Sequence, residues 1–231
     1  MTLARRLAWL GYSALRLDLS GIGDSPLLGP RPFREQAVID TRAAMDRLGE
    51  LLGLRQFVLF GLCSGADNSL ATALADERVV GIAVIDPYAY ATPRSRLRKL
   101  SAKVQALGTP RKVAEWAVGL AVRRVRARLA ALRPSDVAAA LPQSGREPPP
   151  VAELGARLEK LLARRVRILL CYSGALEDAY NHEDQIFEVL PGLRGRVDRA
   201  WFPRANHQFT EIAARRELMT TVVDWLARAG H

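Results

Sequence analysis

Cysteine and histidine are scarce in this chain, with two cysteines and three histidines among 231 residues. Two cysteines do not make the disulfide framework of a small secreted protein, so we expect a reducing compartment. No cluster of His, Cys and acidic residues has the spacing of metal ligands, and we predict neither a metal nor a cofactor. No run approaches the roughly 20 apolar residues of a membrane span, and the N-terminus lacks the apolar core of a secretion signal. The sequence therefore predicts a soluble, cytoplasmic protein.

Positive charge is concentrated in one part of the chain. Residues 94–167 carry 18 Lys and Arg against 5 Asp and Glu, a net charge of +13, whereas the whole chain carries +10. The remainder of the chain is therefore slightly acidic. This asymmetry predicts one basic subregion that faces an anionic partner.

The rest of the sequence alternates between strand and helix patterns. Strands are predicted over 13–19, 57–60, 79–85, 166–172 and 199–202. Helices are predicted over 2–10, 36–52, 182–190 and 217–229, and a further helix begins after the elbow at Gly65 and continues over 69–75. Cys171 falls within a buried strand, where we expect it to be a packed apolar residue. Buried apolar strands that alternate with helices predict an α/β fold with a doubly wound, mostly parallel sheet.

The alternation stops between residues 92 and 165. This stretch holds basic helix patterns and a proline-rich break at 146–150, and it shows no clear strand. Such a stretch between two core strands predicts an inserted helical lid, which leaves 1–91 and 166–231 as the core.

The most informative motif is the segment Gly61-Leu62-Cys63-Ser64-Gly65, which separates a strand pattern from a helix pattern. Glycines two residues on either side of a nucleophile let strand and helix pack closely around a strained turn that exposes its side chain. The pattern predicts Cys63 as a nucleophile and the backbone NH of Ser64 as a donor to an oxyanion. The alternative is that Cys63 is only a small packed residue.

The order of these elements resembles the α/β-hydrolase fold. Residues 17–25 are similar to that family's D-x-R-G-x-G-x-S turn, with Ser20 where Arg is common, and we assign this turn no chemistry. The cysteine elbow, the segment Tyr172-Ser173-Gly174 and residues 206–210 further resemble hydrolases that accompany exosortase and exopolysaccharide systems. Dienelactone-hydrolase-like enzymes share the cysteine, so the sulfur alone does not select a substrate.

A thiol nucleophile needs a base, and His207 is our candidate because it follows the last predicted strand. The other histidines begin a helix or end the chain, at His182 and His231.

The acid that orients His207 is expected past the preceding strand, where Glu177 and Asp178 follow Gly174. The resemblance favours Glu177 through a G-x-x-acid spacing. Asp86, at the end of the 79–85 strand, is the reserve candidate.

These residues predict an enzyme that hydrolyses an ester or thioester through an acyl-enzyme on Cys63. The expected substrate is an anionic acyl compound, either a small molecule or one bound to a carrier such as phosphopantetheine. One alternative is an acyltransferase in which a hydroxyl or amine replaces water. The other is a non-catalytic, degenerate hydrolase fold that docks on an anionic partner through its basic insertion.

The resemblance also implies a strand that this chain does not show. In α/β hydrolases a strand before the first helix lies beside the elbow strand, and the loop after it donates a second NH to the oxyanion. Here the chain starts at that helix. We expect either an upstream segment before an internal start codon, which we favour, or direct pairing of the 13–19 strand with the elbow strand and an incomplete oxyanion hole.

A helix predicted over 111–133 has apolar residues close to one face and arginines around it. We favour a lid over the active site. Peripheral contact with an anionic membrane surface and steering of an anionic substrate are the alternatives. Nucleic acid is disfavoured because the arginines lack interleaved aromatic residues or any reader motif.

Overall fold

The computed structural model of the protein describes residues 2–131, 146–176 and 179–228, without the side chains of 127–131. The chain forms two compact units, the first of residues 1–90 and 148–231 and the second of residues 91–147.

The first unit is built on a parallel sheet whose strands keep their chain order. They are β1 (Phe57–Leu62), β2 (Val79–Ile85), β3 (Arg167–Ser173) and β4 (Asp198–Phe202). Strands β2 and β3 read as continuous apolar runs because a parallel sheet is covered on both faces. The predicted α/β fold and parallel sheet are confirmed.

The helices are amphipathic segments that cover the sheet or belong to the second unit. In chain order they are α1 (Leu3–Trp9), α2 (Phe33–Leu52), α3 (Ser64–Ala75), α4 (Pro93–Leu107), α5 (Pro110–Ala131), α6 (Val151–Ala163), α7 (Gln185–Val189) and α8 (Ile212–Ala227). Gly53 ends α2 in the left-handed conformation that glycine adopts without strain, with φ of 69°. None of the helices in the described ranges is both long and apolar enough to cross a membrane.

Successive residues of each strand point to opposite faces, which produces two separate cores. On one face Ile82, Leu170 and Tyr172 pack with residues of α2, α3, α6 and α7. On the other face Ala83 and Cys171 pack with α1 and α8. Cys171 is fully buried, as predicted, and burial raises the pKa of its thiol to about 12.

The prediction of a strand over residues 13–19 is wrong. These residues are not part of the sheet, and Leu15 and Leu17 are exposed. Strand β1 is an edge of the sheet, so the direct pairing of residues 13–19 with it does not form. Alternating apolar residues become a strand only when a neighbour supplies the ladder hydrogen bonds, and none does here within the described residues.

The predicted helices have different bounds in the structure, and α2 begins at Phe33 rather than at 36. The elbow helix begins directly at Ser64, and α8 begins at Ile212 rather than at 217. Helix α7 covers only Gln185–Val189, since residues 182–184 form a turn before it. The predicted end of the last helix, Ala229, lies outside the described residues.

The described residues of the second unit form two helices, α4 and α5. Thr92 and Ser95 form a reciprocal capping box at the start of α4, and Gly108 ends it with φ of 72°. The predicted 111–133 helix is present to Ala131, and its last two residues lie outside the described ranges.

Helix α6, which the sequence analysis included in the insertion, belongs to the first unit. Its Leu154, Leu158 and Leu161 are buried in the core. The lid role of the insertion stays a prediction.

Candidate active site

The turn after β1 holds Cys63 in a strained backbone conformation. Its φ of 57° and ψ of −116° are unusual for a residue with a side chain, and such conformations cost roughly 1–3 kcal/mol. The NH of Cys63 donates to the carbonyl of Ile85 at 2.9 Å, and α3 begins at the next residue. The half-buried thiol therefore stands at the junction of strand and helix.

The two elbow glycines, Gly61 and Gly65, differ in the space that surrounds them. A Cβ atom on Gly61 would lie 2.1 Å from the carbonyl oxygen of Gly65, so no side chain fits there. A Cβ atom on Gly65 would meet nothing within 4 Å. The close approach of strand and helix thus requires glycine at position 61, whereas Gly65 contributes its backbone.

The first turn of α3 supplies backbone donors beside Cys63. The NH groups of Ala66 and Asp67 donate to the Cys63 carbonyl at 2.9 and 3.3 Å. The NH groups of the first two helical residues, Ser64 and Gly65, precede any intrahelical acceptor. They carry the positive end of the helix dipole and suit a developing negative charge on a bound carbonyl oxygen.

Asp86 occupies the corresponding position after β2. Leu62 is paired with Ile85 across the two strands, so Cys63 and Asp86 leave the sheet at the same level. Asp86 is fully buried, has φ of 47°, and donates its NH to the Cys171 carbonyl at 2.8 Å. Its carboxylate accepts two hydrogen bonds of 2.7 Å from Ser173, one from the NH to Oδ1 and one from the hydroxyl to Oδ2.

His207 lies in the loop between β4 and α8, with its Nδ1 2.7 Å from Oδ2 of Asp86. A carboxylate only accepts hydrogen bonds, so we assign the proton to Nδ1. This tautomer leaves Nε2 as the basic nitrogen of a ring that is 39% exposed.

Close backbone packing fixes the loop that carries His207. A Cβ atom on Gly174 would lie 2.1 Å from the carbonyl oxygen of Pro203, so glycine lets this loop approach the end of β3. The buried Phe209 has φ of 50° and packs edge-to-face on Phe202 at 5.3 Å. Arg215 donates to the carbonyls of Phe209 and Thr210, each at 3.2 Å.

The structure brings together some of the residues proposed from the sequence. Cys63 and Ser64 lie at the carboxyl edge of the sheet, and Asp86, the reserve acid, contacts His207. Glu177 and Asp178 lie outside the described residues. His182 is buried, with its Nε2 3.3 Å from Glu188.

Ser173 is not among the functional residues predicted from the sequence. One sequence feature could have indicated its role: Ser173 is a small polar residue at the end of a buried apolar strand, and Asp86 directly follows another such strand.

One apolar cavity lies close to the elbow helix, lined by residues that include Leu70, Tyr88 and Leu158. Its volume of about 20 Å³ is near that of a single water, so it does not hold an acyl chain. No group of three or more His, Cys, Asp or Glu side chains in the described part of the chain is arranged to hold a metal ion.

No family model and no curated protein matches the chain. Solved structures do match it, among them a putative α/β hydrolase of unknown function from Agrobacterium tumefaciens, with a TM-score of 0.53 and 16% identity over 98% of this chain and 76% of that one. NosK from Streptomyces actuosus matches with a TM-score of 0.51 and 20% identity, over 99% and 91% of the two chains. An α/β hydrolase from Sphaerobacter thermophilus matches with a TM-score of 0.51 and 21% identity, over 97% and 85%. The protein shares its fold with these structures, which include the α/β hydrolases from Agrobacterium tumefaciens and Sphaerobacter thermophilus.

Proposed function

We propose that the protein hydrolyses an ester or thioester through a covalent acyl-enzyme on Cys63. The observation that supports this most directly is the 2.7 Å contact between Asp86 Oδ2 and His207 Nδ1. A buried carboxylate that orients an imidazole, at the sheet edge where a strained turn presents a thiol, suits nucleophilic catalysis.

In the acylation step, Nε2 of His207 accepts the thiol proton and the sulfur of Cys63 attacks the substrate carbonyl carbon. The carbonyl π electrons move to the oxygen, which accepts a hydrogen bond from the Ser64 NH. When the intermediate collapses, the bond to the leaving group breaks, and the His207 imidazolium protonates the departing oxygen or sulfur. The product is a thioester on Cys63.

Water then hydrolyses the acyl-enzyme, and His207 again acts first as a base and then as an acid. Nε2 removes a proton from water, the hydroxide attacks the thioester carbonyl, and the Cys63 thiolate leaves and regains its proton from the imidazolium. Asp86 stabilises the positive charge that His207 carries in both steps.

We assign the orienting role to Asp86 rather than to Glu177 or Asp178. The carboxylate of Asp86 contacts the ring directly, and its second oxygen is fixed by the Ser173 NH at 2.7 Å. Such a buried carboxylate, supported by two donors, keeps one orientation.

The proposal is tested by acylation of the full chain with p-nitrophenyl acetate and with a small acetyl thioester. We expect a p-nitrophenol burst close to one equivalent and an intact-mass increase of one acetyl group. Both should disappear in Cys63→Ser and persist in Cys171→Ala, because Cys171 is fully buried.

Iodoacetamide labelling between pH 5 and 9 is the second readout of the same proposal. Labelling of Cys63 should be fast at low pH and should slow in His207→Ala. No acetyl adduct, together with a labelling profile that His207→Ala leaves unchanged, would rule out the catalytic proposal.

A further inference from the structure

Almost no side chain is buried in the described part of the second unit. Of residues 91–126, whose side chains are described, only Thr92 and Ser95 are buried, and both are polar residues of the α4 cap. No apolar side chain of residues 91–126 is buried, so this part of the two helices gains little from the hydrophobic effect as it stands.

Helix α4 carries an exposed apolar stripe. Leu97, Leu100 and Val104 are 66%, 46% and 39% exposed, and their spacing of three and four residues places them on one side of the helix. Arg96 and Arg98 precede and follow Leu97, and successive helical residues are rotated by about 100°. The stripe therefore has a cationic residue on each side.

Helix α5 repeats this arrangement. Val118, Val122 and Val125 are 63%, 44% and 56% exposed, with a spacing of four and three residues. Arg124 and Arg126 flank Val125 in the same way. Two helices of one unit thus each combine an exposed apolar stripe with flanking arginines.

The charge of this segment has nearly one sign. Residues 91–126 carry ten Lys and Arg and a single acidic residue, Glu115, a net charge of +9. Glu115 is itself paired with Arg111, with 2.9 Å between Oε1 and Nε. The complementary partner is therefore anionic, and it must also accept apolar side chains.

We propose that the α4–α5 unit binds the surface of a lipid bilayer that contains anionic headgroups. Leucine and valine side chains enter the boundary between headgroups and acyl chains, and the flanking Arg and Lys contact the lipid phosphates and carboxylates. A soluble polyanion offers no apolar phase to the two stripes. The segment also has only one aromatic residue, Trp116, which is half-buried, so it offers no exposed stacking platform for a nucleic acid.

The test is flotation of the full chain with vesicles of phosphatidylcholine alone or of phosphatidylcholine mixed with phosphatidylserine. We expect binding to the mixed vesicles, little binding to phosphatidylcholine alone, and weaker binding as salt increases. Cys63→Ser should bind as the wild type does, because the surface does not use the catalytic thiol.

Two sets of variants separate charge from apolar insertion. Each basic residue near an anionic surface contributes roughly fivefold to binding, so Arg96→Gln/Arg98→Gln/Lys103→Gln should reduce the partition coefficient about a hundredfold. Leu97→Ser/Leu100→Ser should reduce it at least about tenfold through lost insertion. Val118→Ser/Val122→Ser tests the second stripe independently.

Matched controls lie on the first unit. Arg34→Gln/Arg47→Gln/Arg55→Gln removes the same charge from exposed positions, and Leu51→Ser/Leu52→Ser removes exposed leucines. Both should leave vesicle binding within about twofold of the wild type.

Two results would overturn the proposal. One is vesicle binding that both serine double variants leave unchanged. The other is absence of vesicle binding while an immobilised polyphosphate retains the chain, which would identify a polyanion as the partner. Circular dichroism of each variant confirms that a loss of binding does not come from unfolding.

Discussion

The side chain and backbone of Ser173 hold both oxygens of the Asp86 carboxylate, through two hydrogen bonds of 2.7 Å. Ser173 is the last residue of β3, and Asp86 follows β2, so the pair joins the ends of neighbouring strands. Ser173 therefore fixes the carboxylate that contacts Nδ1 of His207.

Replacing Ser173 by alanine should weaken both stability and catalysis. The variant removes the hydroxyl donor from a buried carboxylate and keeps the NH donor, so we expect a loss of about 1–3 kcal/mol in the free energy of unfolding. Urea denaturation measures this loss, and the labelling rate of Cys63 should fall in parallel. Ser101→Ala, at an exposed position of α4, is the control and should change neither quantity.

Asp86→Asn should abolish most of the activity while the fold is retained. The amide can present its NH₂ group to Nδ1 and favour the wrong tautomer of His207, which in comparable triads lowers kcat by roughly 10³- to 10⁴-fold. Steady-state hydrolysis of p-nitrophenyl acetate is the measurement.

Glu177→Gln and Asp178→Asn are the matched variants for this prediction. We expect each to stay within about threefold of the wild-type kcat, since an amide at a position without a catalytic role changes little. A large loss in either variant, with normal activity in Asp86→Asn, would transfer the orienting role to the segment after β3.

The two elbow glycines should respond in opposite ways to alanine. Gly61→Ala places a methyl group 2.1 Å from a backbone oxygen, and we expect destabilisation of at least about 3 kcal/mol or failure to fold. Gly65→Ala meets open space and adds a better helix former, so its stability should stay within about 1 kcal/mol of the wild type. Thermal and urea denaturation compare them; equal effects would contradict the contact geometry.

Asp76 should make the stability depend on pH on the acid side. Hydrogen bonds from Arg78 hold the pKa of this buried carboxyl well below its usual value, against an opposing effect of burial. A depressed folded-state pKa gives stability that is present above the unfolded pKa, near 4, and is lost as pH falls towards the folded value. Asp76→Asn should therefore lower the free energy of unfolding by roughly 1.5–3 kcal/mol at pH 7.

Asp76→Asn should also reduce the slope with which the free energy of unfolding declines below about pH 4. Asp46→Asn is the control, because Asp46 also pairs with Arg78 but is 60% exposed, and it should cost less than about 1 kcal/mol. Urea melts at several pH values give both comparisons. An unaltered acid slope in Asp76→Asn would assign the pH dependence to other carboxyls.

The sequence predicts best the strand whose own residues form a continuous apolar run. Val79–Ile85 has the predicted bounds because a strand buried on both faces is a continuous apolar run, bounded here by charged residues. Residues 13–19 alternate apolar and polar side chains, which also favours a strand, but they do not become one, because pairing depends on a neighbour that local sequence does not specify.

The contact between Asp86 and His207 and the place of α6 in the first unit are visible only in three dimensions. Spacing along the chain favoured Glu177, whereas the contact of Asp86 with His207 joins residues 121 positions apart. The leucines of α6 showed helical spacing, but its place after a basic, proline-rich segment suggested the insertion rather than the core. For α6, order along the chain was a poor guide to neighbours in space, whereas the roles of Glu177 and Asp178, outside the described residues, stay predictions.

Strand pairing brings Asp86 and Cys63 to the same level at the carboxyl edge of the sheet. Cys63 and Asp86 follow the same residue pair of the β1–β2 ladder, Leu62 and Ile85, so their separation is set by strand pairing rather than by a long loop. The loop that carries His207 approaches the same edge at Gly174, since a Cβ atom there would lie 2.1 Å from the Pro203 carbonyl oxygen. A side chain at position 174 would therefore move the candidate base away from Asp86 without touching either residue.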